Sequence, residues 1–213
     1  QRLRRASDDA TGQDRLAAQL IRIMRREARF SRGTTQISIA DGDGNMASVT
    51  LSNGEGCGYV LPGTGIVMNN MLGEEDINPH GFHAWPPDRR ISSMMSPTRI
   101  ELPNGVRVMT GSSGSNRIRS AILQVIVNLV DFGLPLDEAV SRPRIHFEDG
   151  LLNLEPPVRA DTLDDLERYW PKRRVWSAPG VYFGGAHSIL RGSDGSLRGA
   201  GDPRRGGVAL KVD

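Results

Sequence analysis

Three Asx-Gly pairs, Asp43-Gly44, Asn104-Gly105 and Asp194-Gly195, each stand between two short segments in which apolar and polar residues alternate. A two-residue turn of this kind takes positive φ and joins strands whose side chains alternate faces, so each pair predicts an antiparallel hairpin. The string TTQISIADGDGNMASVTLS predicts strands over 34–40 and 46–52, RIELPNGVRVMT a hairpin over 99–110, and 185–200 a third. A further strand is expected over 58–61, closed by Pro62-Gly63. Between 69 and 98 the chain is rich in Asn, Pro, Gly and Ser, a long irregular stretch of the kind that often carries function. Helical spacing of Ile118, Ala121, Ile122, Val125, Ile126 and Leu129, with Gly133 beyond the end, predicts a helix. Shorter helices are expected at 136–141 and 161–169. Strands, loop, strands, helices and strands in that order predict an α+β fold with largely antiparallel sheets.

The first 33 residues have another texture. From Asp14, DRLAAQLIRIMRREARF puts Leu16, Leu20, Ile23 and Met24 on one stripe and arginines on the other faces, which predicts an amphipathic helix packed on something else. Ser31-Arg32-Gly33 breaks it. Residues 1–33 hold nine Arg and four acids, net +5, while residues 34–213 hold 18 bases and 21 acids, net −3. The basic excess is confined to one end, so a nucleic-acid partner is not expected. The lone Cys57 excludes an internal disulfide and a thiolate zinc cluster. No apolar run approaches the ~20 residues of a membrane helix. QRLRRASDD has no apolar core after its charges and does not read as a signal peptide. With no initiator Met, the chain reads as processed or truncated, and its compartment, periplasmic, extracellular or cytoplasmic, is open.

Two local features could carry chemistry. At Gly33-Thr34-Thr35 a hydroxyl residue follows Gly at the border of the two textures. This is either an ordinary strand start or a self-cleavage site. In the second reading the Thr34 hydroxyl attacks the open Gly33 carbonyl, and hydrolysis of the resulting ester frees an α-amine of pKa near ~8 that can act as general base. The loop Thr110-Gly111-Ser112-Ser113-Gly114-Ser115-Asn116 lies between a strand and a helix. It is either a plain loop with Ser115 or Asn116 as N-cap, or a place where free N–H groups meet an anion. It lacks the Gly-Lys-Ser/Thr of a phosphate loop. His80 and His83 have ligand spacing but no nearby Cys, His146 and His187 are isolated, and no metal site is expected. Glu74-Glu75-Asp76 reads as a solvated acidic loop or as a seat for a substrate ammonium.

As a set, TTQISIADGDGNMASVT, PGTGIVMNN, RRISSMMSPT, TGSSGSNRIRSAILQVIVNLVDFGLPLDEAVSRPRIHFE and GSLRGAGDPR resemble, in this order, the small subunit of gamma-glutamyltransferases. The resemblance spans 34–205, and residues 1–33 resemble the end of the large subunit. It implies an N-terminal-nucleophile hydrolase fold, a four-layer αββα sandwich with antiparallel sheets. It implies cleavage between Gly33 and Thr34, with Thr34 as nucleophile on a γ-glutamyl amide such as glutathione. The family's Thr-Leu-Asn motif falls on Thr50, Ser52 and Asn53, and its oxyanion-hole Gly-Gly on Gly114 and Ser115. Ser115 would keep that backbone role if its dihedrals are ordinary. Glu74, with Met71 before it, matches the ammonium-binding position, while Ser92 and Ser93, or Ser93 and Met94, match the α-carboxylate serines. The family needs no cofactor and pairs with the large subunit of the same precursor. Met71, Glu74 and Met94 depart from its glutamate-binding pattern, so a cephalosporin- or glutaryl-type acylase is the alternative activity. A non-catalytic binding module is a third reading.

Overall fold

A computed structural model describes residues 33–54, 56–78, 80–81 and 84–212. The helix expected from Asp14, and with it the breaker residues 31–32, lies outside the described residues, as do Glu55, His83 and the side chain of Glu75.

The first hairpin forms as the alternation predicts: β1 (Thr34–Ala40) pairs antiparallel with β2 (Met46–Ser52), in the register Thr34↔Ser52, Gln36↔Thr50 and Ser38↔Ser48. Its amphipathicity is inverted. The polar face turns inward, where the Ser38 hydroxyl donates to the His187 carbonyl and the Ser48 hydroxyl to the Thr110 carbonyl. Buried Gln36 donates to the Ser38 and Ser48 hydroxyls and accepts that of Thr50 at 2.5 Å. The apolar residues Ile37, Ile39, Val49 and Leu51 face outward and are 41–56% exposed.

The strand expected over 58–61 does not form; only an isolated bridge joins Val60 to Val67. The glycines at 58, 63 and 65 all take positive φ, which breaks this segment into turns. Residues 71–73 and 75–77 are single 3-10 turns in an otherwise irregular stretch.

A four-stranded antiparallel sheet follows in the order β11-β10-β4-β3, built from β3 (Thr98–Glu101), β4 (Arg107–Thr110), β10 (Ser188–Arg191) and β11 (Leu197–Ala200). Its short neighbour pairs β5 (Ser112–Ser113) with β9 (Gly185–Ala186). Helices α1 (Arg117–Val130) and α2 (Leu136–Ser141) bury their apolar stripes on this layer. The core joins Val125, Leu129, Leu136, Ala139 and Val140 from the helices to Val108, Ala186 and Ala200 from the strands. Helix α3 (Ala160–Tyr169) lies further along the chain.

A three-stranded sheet absent from the sequence expectation joins β6 (Ile145–Glu148), β7 (Leu151–Leu154) and β8 (Arg173–Val175), the last pair parallel. Its hairpin turns at Asp149-Gly150, both with positive φ. This is the same Asx-Gly signal as in the other hairpins.

Candidate active site

Thr34 opens β1 directly opposite Ser52, the last residue of β2, and the two hydroxyls are 2.9 Å apart. Ser52 Oγ also accepts the Gly54 N–H at 3.0 Å, which fixes it beside Thr34. The Gly33 carbonyl accepts the Asn53 N–H at 3.1 Å. A Cβ on Gly33 would overlap the Gly54 carbonyl oxygen, so this backbone crossing admits only glycine. Thr34 thus stands at the junction of an immobilised carbonyl and a hydrogen-bonded hydroxyl pair.

These residues open on a cavity of about 410 Å³. One wall includes Gly114 and Ser115, with φ of 125° and 52°. The ordinary dihedrals expected of Ser115 are therefore not observed. Asn116 is the N-cap of α1, yet its amide bonds the Glu148 carboxylate instead of capping the helix. The first helical N–H groups are occupied as well: Arg117 N donates to the Gly114 carbonyl and Ile118 N to that of Ser115.

Of the candidate site residues, Gly33, Thr34, Ser52, Glu74, Ser93, Gly114 and Ser115 line this one cavity, with Met71, Asp76 and Met94 beside them. Thr50, Asn53 and Ser92 do not. The Thr50 side chain bonds Gln36 beneath the hairpin, Asn53 contributes its backbone, and Ser92 is exposed on the outer loop. Ser93 Oγ accepts the Met95 N–H at 3.1 Å, which leaves its own proton to donate. Glu74 Oε1 and Asn70 Oδ1 converge on Gly54, in the space that a side chain at 54 would fill.

Sequence reasoning overlooked Arg117 and Arg205, which also line the cavity. Both are held by one turn: Arg117 Nε donates to the Tyr182 carbonyl at 3.1 Å and Arg205 Nη2 to that of Val181 at 3.3 Å. Nothing in the local strings distinguishes them from other arginines.

A buried ionic cluster supports this wall. Asp202 accepts Arg144 Nη2 at 2.6 Å, the Ala186 N–H at 2.8 Å, the Arg204 N–H at 3.0 Å and Arg204 Nη1 at 3.2 Å. Glu155 pairs with Arg204 and accepts the N–H groups of Arg144 and Gly180. Burial works to raise the Asp202 pKa, but Arg144, the Ala186 N–H and Arg204 outweigh it and hold the carboxyl below its ordinary value. The cluster fixes β9 against β5 and hence the approach to Gly114. Sequence reasoning assigned these residues no role, although Arg142-Pro143-Arg144 and Asp202-Pro203-Arg204 both fall in the strings that resemble the family.

Half-buried His187 has its pKa lowered mainly by desolvation, and its Nδ1 accepts the Asp202 N–H at 3.1 Å. His146 is likewise lowered, first by burial, with Glu148 opposing. Among the described residues no group of three or more His, Cys, Asp or Glu is placed to hold a metal. None of the described helices is long and apolar enough to cross a membrane.

The family model for gamma-glutamyltranspeptidase matches residues 4–212. The chain belongs to the gamma-glutamyltranspeptidase family. Curated members include the glutathione hydrolase proenzyme of Escherichia coli, 36% identical over 188 residues that make up 82% of this chain and 32% of that protein. The acylase ACY 1 proenzyme of Pseudomonas sp. strain SE83 is 33% identical over 184 residues, 85% of this chain and 32% of the relative. The chain thus spans about a third of the length of these curated relatives. Among solved structures, a chain of the gamma-glutamyltranspeptidase from Pseudomonas nitroreducens complexed with L-DON superposes with a TM-score of 0.71 at 27% identity, over 84% of this chain and 100% of that one. The fold is the α+β N-terminal-nucleophile hydrolase fold of this family. To its sandwich the described residues contribute the helical layer of α1 and α2, the sheet beneath it and the inverted hairpin.

Proposed function

We propose that this chain is the catalytic part of an amidohydrolase or acyltransferase that cleaves itself between Gly33 and Thr34. The observation that carries this reading is the sharing of one cavity by Thr34, Ser52 and the Gly114–Ser115 backbone, with the Gly33 carbonyl already held by an N–H. In maturation, Thr34 Oγ1 adds to the Gly33 carbonyl carbon while the Asn53 N–H steadies the developing oxyanion. The C–N bond breaks, the hydroxyl proton ends on the freed amine, and water hydrolyses the ester.

In turnover that amine takes the proton from Oγ1 as it attacks a substrate amide. The N–H groups of Gly114 and Ser115 stabilise the tetrahedral intermediate, and the proton passes to the leaving amine. Water or an acceptor amine then resolves the acyl-Thr34 ester. Ser52 holds Oγ1 in line.

The substrate we assign is a γ-glutamyl amide of the glutathione type. Glu74 would take its ammonium, and the Ser93 hydroxyl would donate to its α-carboxylate, with Ser92 beyond the cavity rim. The outward apolar face of the β1–β2 hairpin supports a second layer supplied by the large subunit of the same precursor. An apolar sheet face of this kind is normally covered. Residues 1–33 are then the end of that subunit, and 34–213 the small one.

A second reading has a specific basis. Met71, Met94 and Met95 line the cavity and offer apolar contact rather than hydrogen bonds to an acyl chain, as a glutaryl-type acylase would need. Steady-state turnover of a γ-glutamyl anilide against a glutaryl anilide separates the two. Preference for the γ-glutamyl chain by tenfold or more in kcat/KM is expected; equal or better rates without the α-ammonium would assign the acylase.

A further inference from the structure

Among the described residues three non-glycines have positive φ: Asp88, Asp149 and Ser115. Asp tolerates this region through local side-chain bonds, and Asp149 sits in a hairpin turn, whereas Ser115 leads into a helix. On one side the Ser115 carbonyl is fixed by the Ile118 N–H at 2.9 Å. On the other its hydroxyl donates to the Asp76 carboxylate. Asp76 also lines the cavity, on the loop that presents Glu74.

That loop is itself anchored. Buried Asn78 donates its amide to the Met71 and Glu74 carbonyls, 2.7 Å each, and accepts Trp85 Nε1 at 2.5 Å. Next to it Ile77 is buried. The backbone around Asp76 is thus held in place, and its carboxylate bonds a residue whose φ of 52° L side chains rarely adopt. Arg117 and Arg205 line the same cavity and offset its negative charge.

We propose that Asp76 is a positioning residue for the oxyanion hole: by accepting the Ser115 hydroxyl it holds Ser115 in the left-handed conformation that presents the Gly114 and Ser115 N–H groups to the cavity. The inference rests on the reading of Thr34 as nucleophile and of these two N–H groups as its oxyanion donors. It assigns Asp76 no contact with substrate. It also ties the loop that bears Glu74 to the catalytic wall, so that a displaced loop distorts the oxyanion hole.

The test is a mutant cycle in the full-length protein: Asp76→Ala, Ser115→Gly, the double variant, and Asp76→Asn. Glycine adopts the left-handed region without a latch. With the better acyl anilide, Asp76→Ala should lower kcat roughly ten- to a hundredfold, because small misplacements of catalytic groups have effects of that size. KM should move less than about twofold, and Asp76→Asn, which keeps an acceptor, should stay within about threefold of the parent. In the Ser115→Gly background, adding Asp76→Ala should change kcat by less than about twofold. An undiminished loss in that background, or a loss expressed in KM, overturns the proposal.

The urea midpoint of the same four proteins decides the contact without any turnover. Asp76→Ala should lower it with Ser115 present and leave it unmoved with glycine there, and equal lowering in both overturns the latch. Coupled midpoints in a protein that hydrolyses no anilide would uphold the latch while refuting the functional reading.

Discussion

Asp202→Asn is the most informative perturbation of the scaffold. In the folded protein two buried guanidiniums, Arg144 and Arg204, face two buried carboxylates, Asp202 and Glu155. Neutralising Asp202 leaves both cations to share Glu155. It also turns an amide NH2 toward groups that are all donors, because Asp202 receives two guanidinium and two backbone N–H bonds. Breaking a buried ion pair by removing one partner destabilises by about 3–5 kcal/mol. With a urea m-value of about 2 kcal/mol/M, the midpoint should fall by roughly 2 M. The assay is urea unfolding of the full-length protein by tryptophan fluorescence, since Trp176 stacks on Tyr182 next to the turn that the cluster holds. Asp161→Ala is the control: it removes an exposed pair with Arg159 and one N–H bond from Thr162 in the first turn of α3, and should lower the midpoint by less than about 0.5 M. A fall of less than about 0.5 M for Asp202→Asn would refute the argument that this cluster anchors β9. It would mean that solvent or a rearranged Glu155 satisfies the cations.

Further outcomes follow from the same geometry. Ser52→Ala should slow both self-cleavage and turnover, about tenfold or more, while Ser52→Thr restores them, because only the hydroxyl opposite Thr34 is needed; cleavage time courses by mass spectrometry check this. Gly33→Ala should block maturation, because its Cβ would overlap the Gly54 carbonyl oxygen and force the scissile carbonyl off the Asn53 N–H. His187 and His146 have folded pKa values below the ordinary histidine value of about 6.5, so the unfolded chain binds more protons beneath that pH. Stability should therefore be full above about pH 6.5 and decline as pH falls through that value. His187→Asn, whose carbonyl can still accept the Asp202 N–H, should flatten the decline in a urea-midpoint series.

The parts of the fold legible in the sequence were those written in short-range signals. The Asx-Gly turns placed β1 and β2, and helical spacing placed α1, because neighbouring residues decide both. The 58–61 segment has strand composition, but positive-φ glycines on both sides gave it no partner to pair with. The β6–β7 hairpin carried the same turn signal at Asp149-Gly150, and the apolar–polar alternation of IHFE before it could have revealed it. Its parallel neighbour β8 depends on a crossover that no local string encodes. At the site, Thr34 and the Gly114–Ser115 loop stood out because Gly, hydroxyl and helix-start patterns have local physical meaning. Arg117, Arg205 and the Arg144–Asp202–Arg204–Glu155 cluster did not. Their roles arise from residues up to 65 positions apart that only the folded chain brings together. The inverted hairpin was visible as alternation, but which face turns inward is decided by what packs on it.

The central claim is that Thr34 is both the agent of cleavage and the nucleophile. Intact-mass spectrometry of the purified full-length protein tests it most directly. The expected result is a fragment whose first residue is Thr34, formed without added protease, and an uncut chain in Thr34→Ala. A wild-type protein that stays whole, or a Thr34→Ala variant that is cut at the same bond, would contradict it.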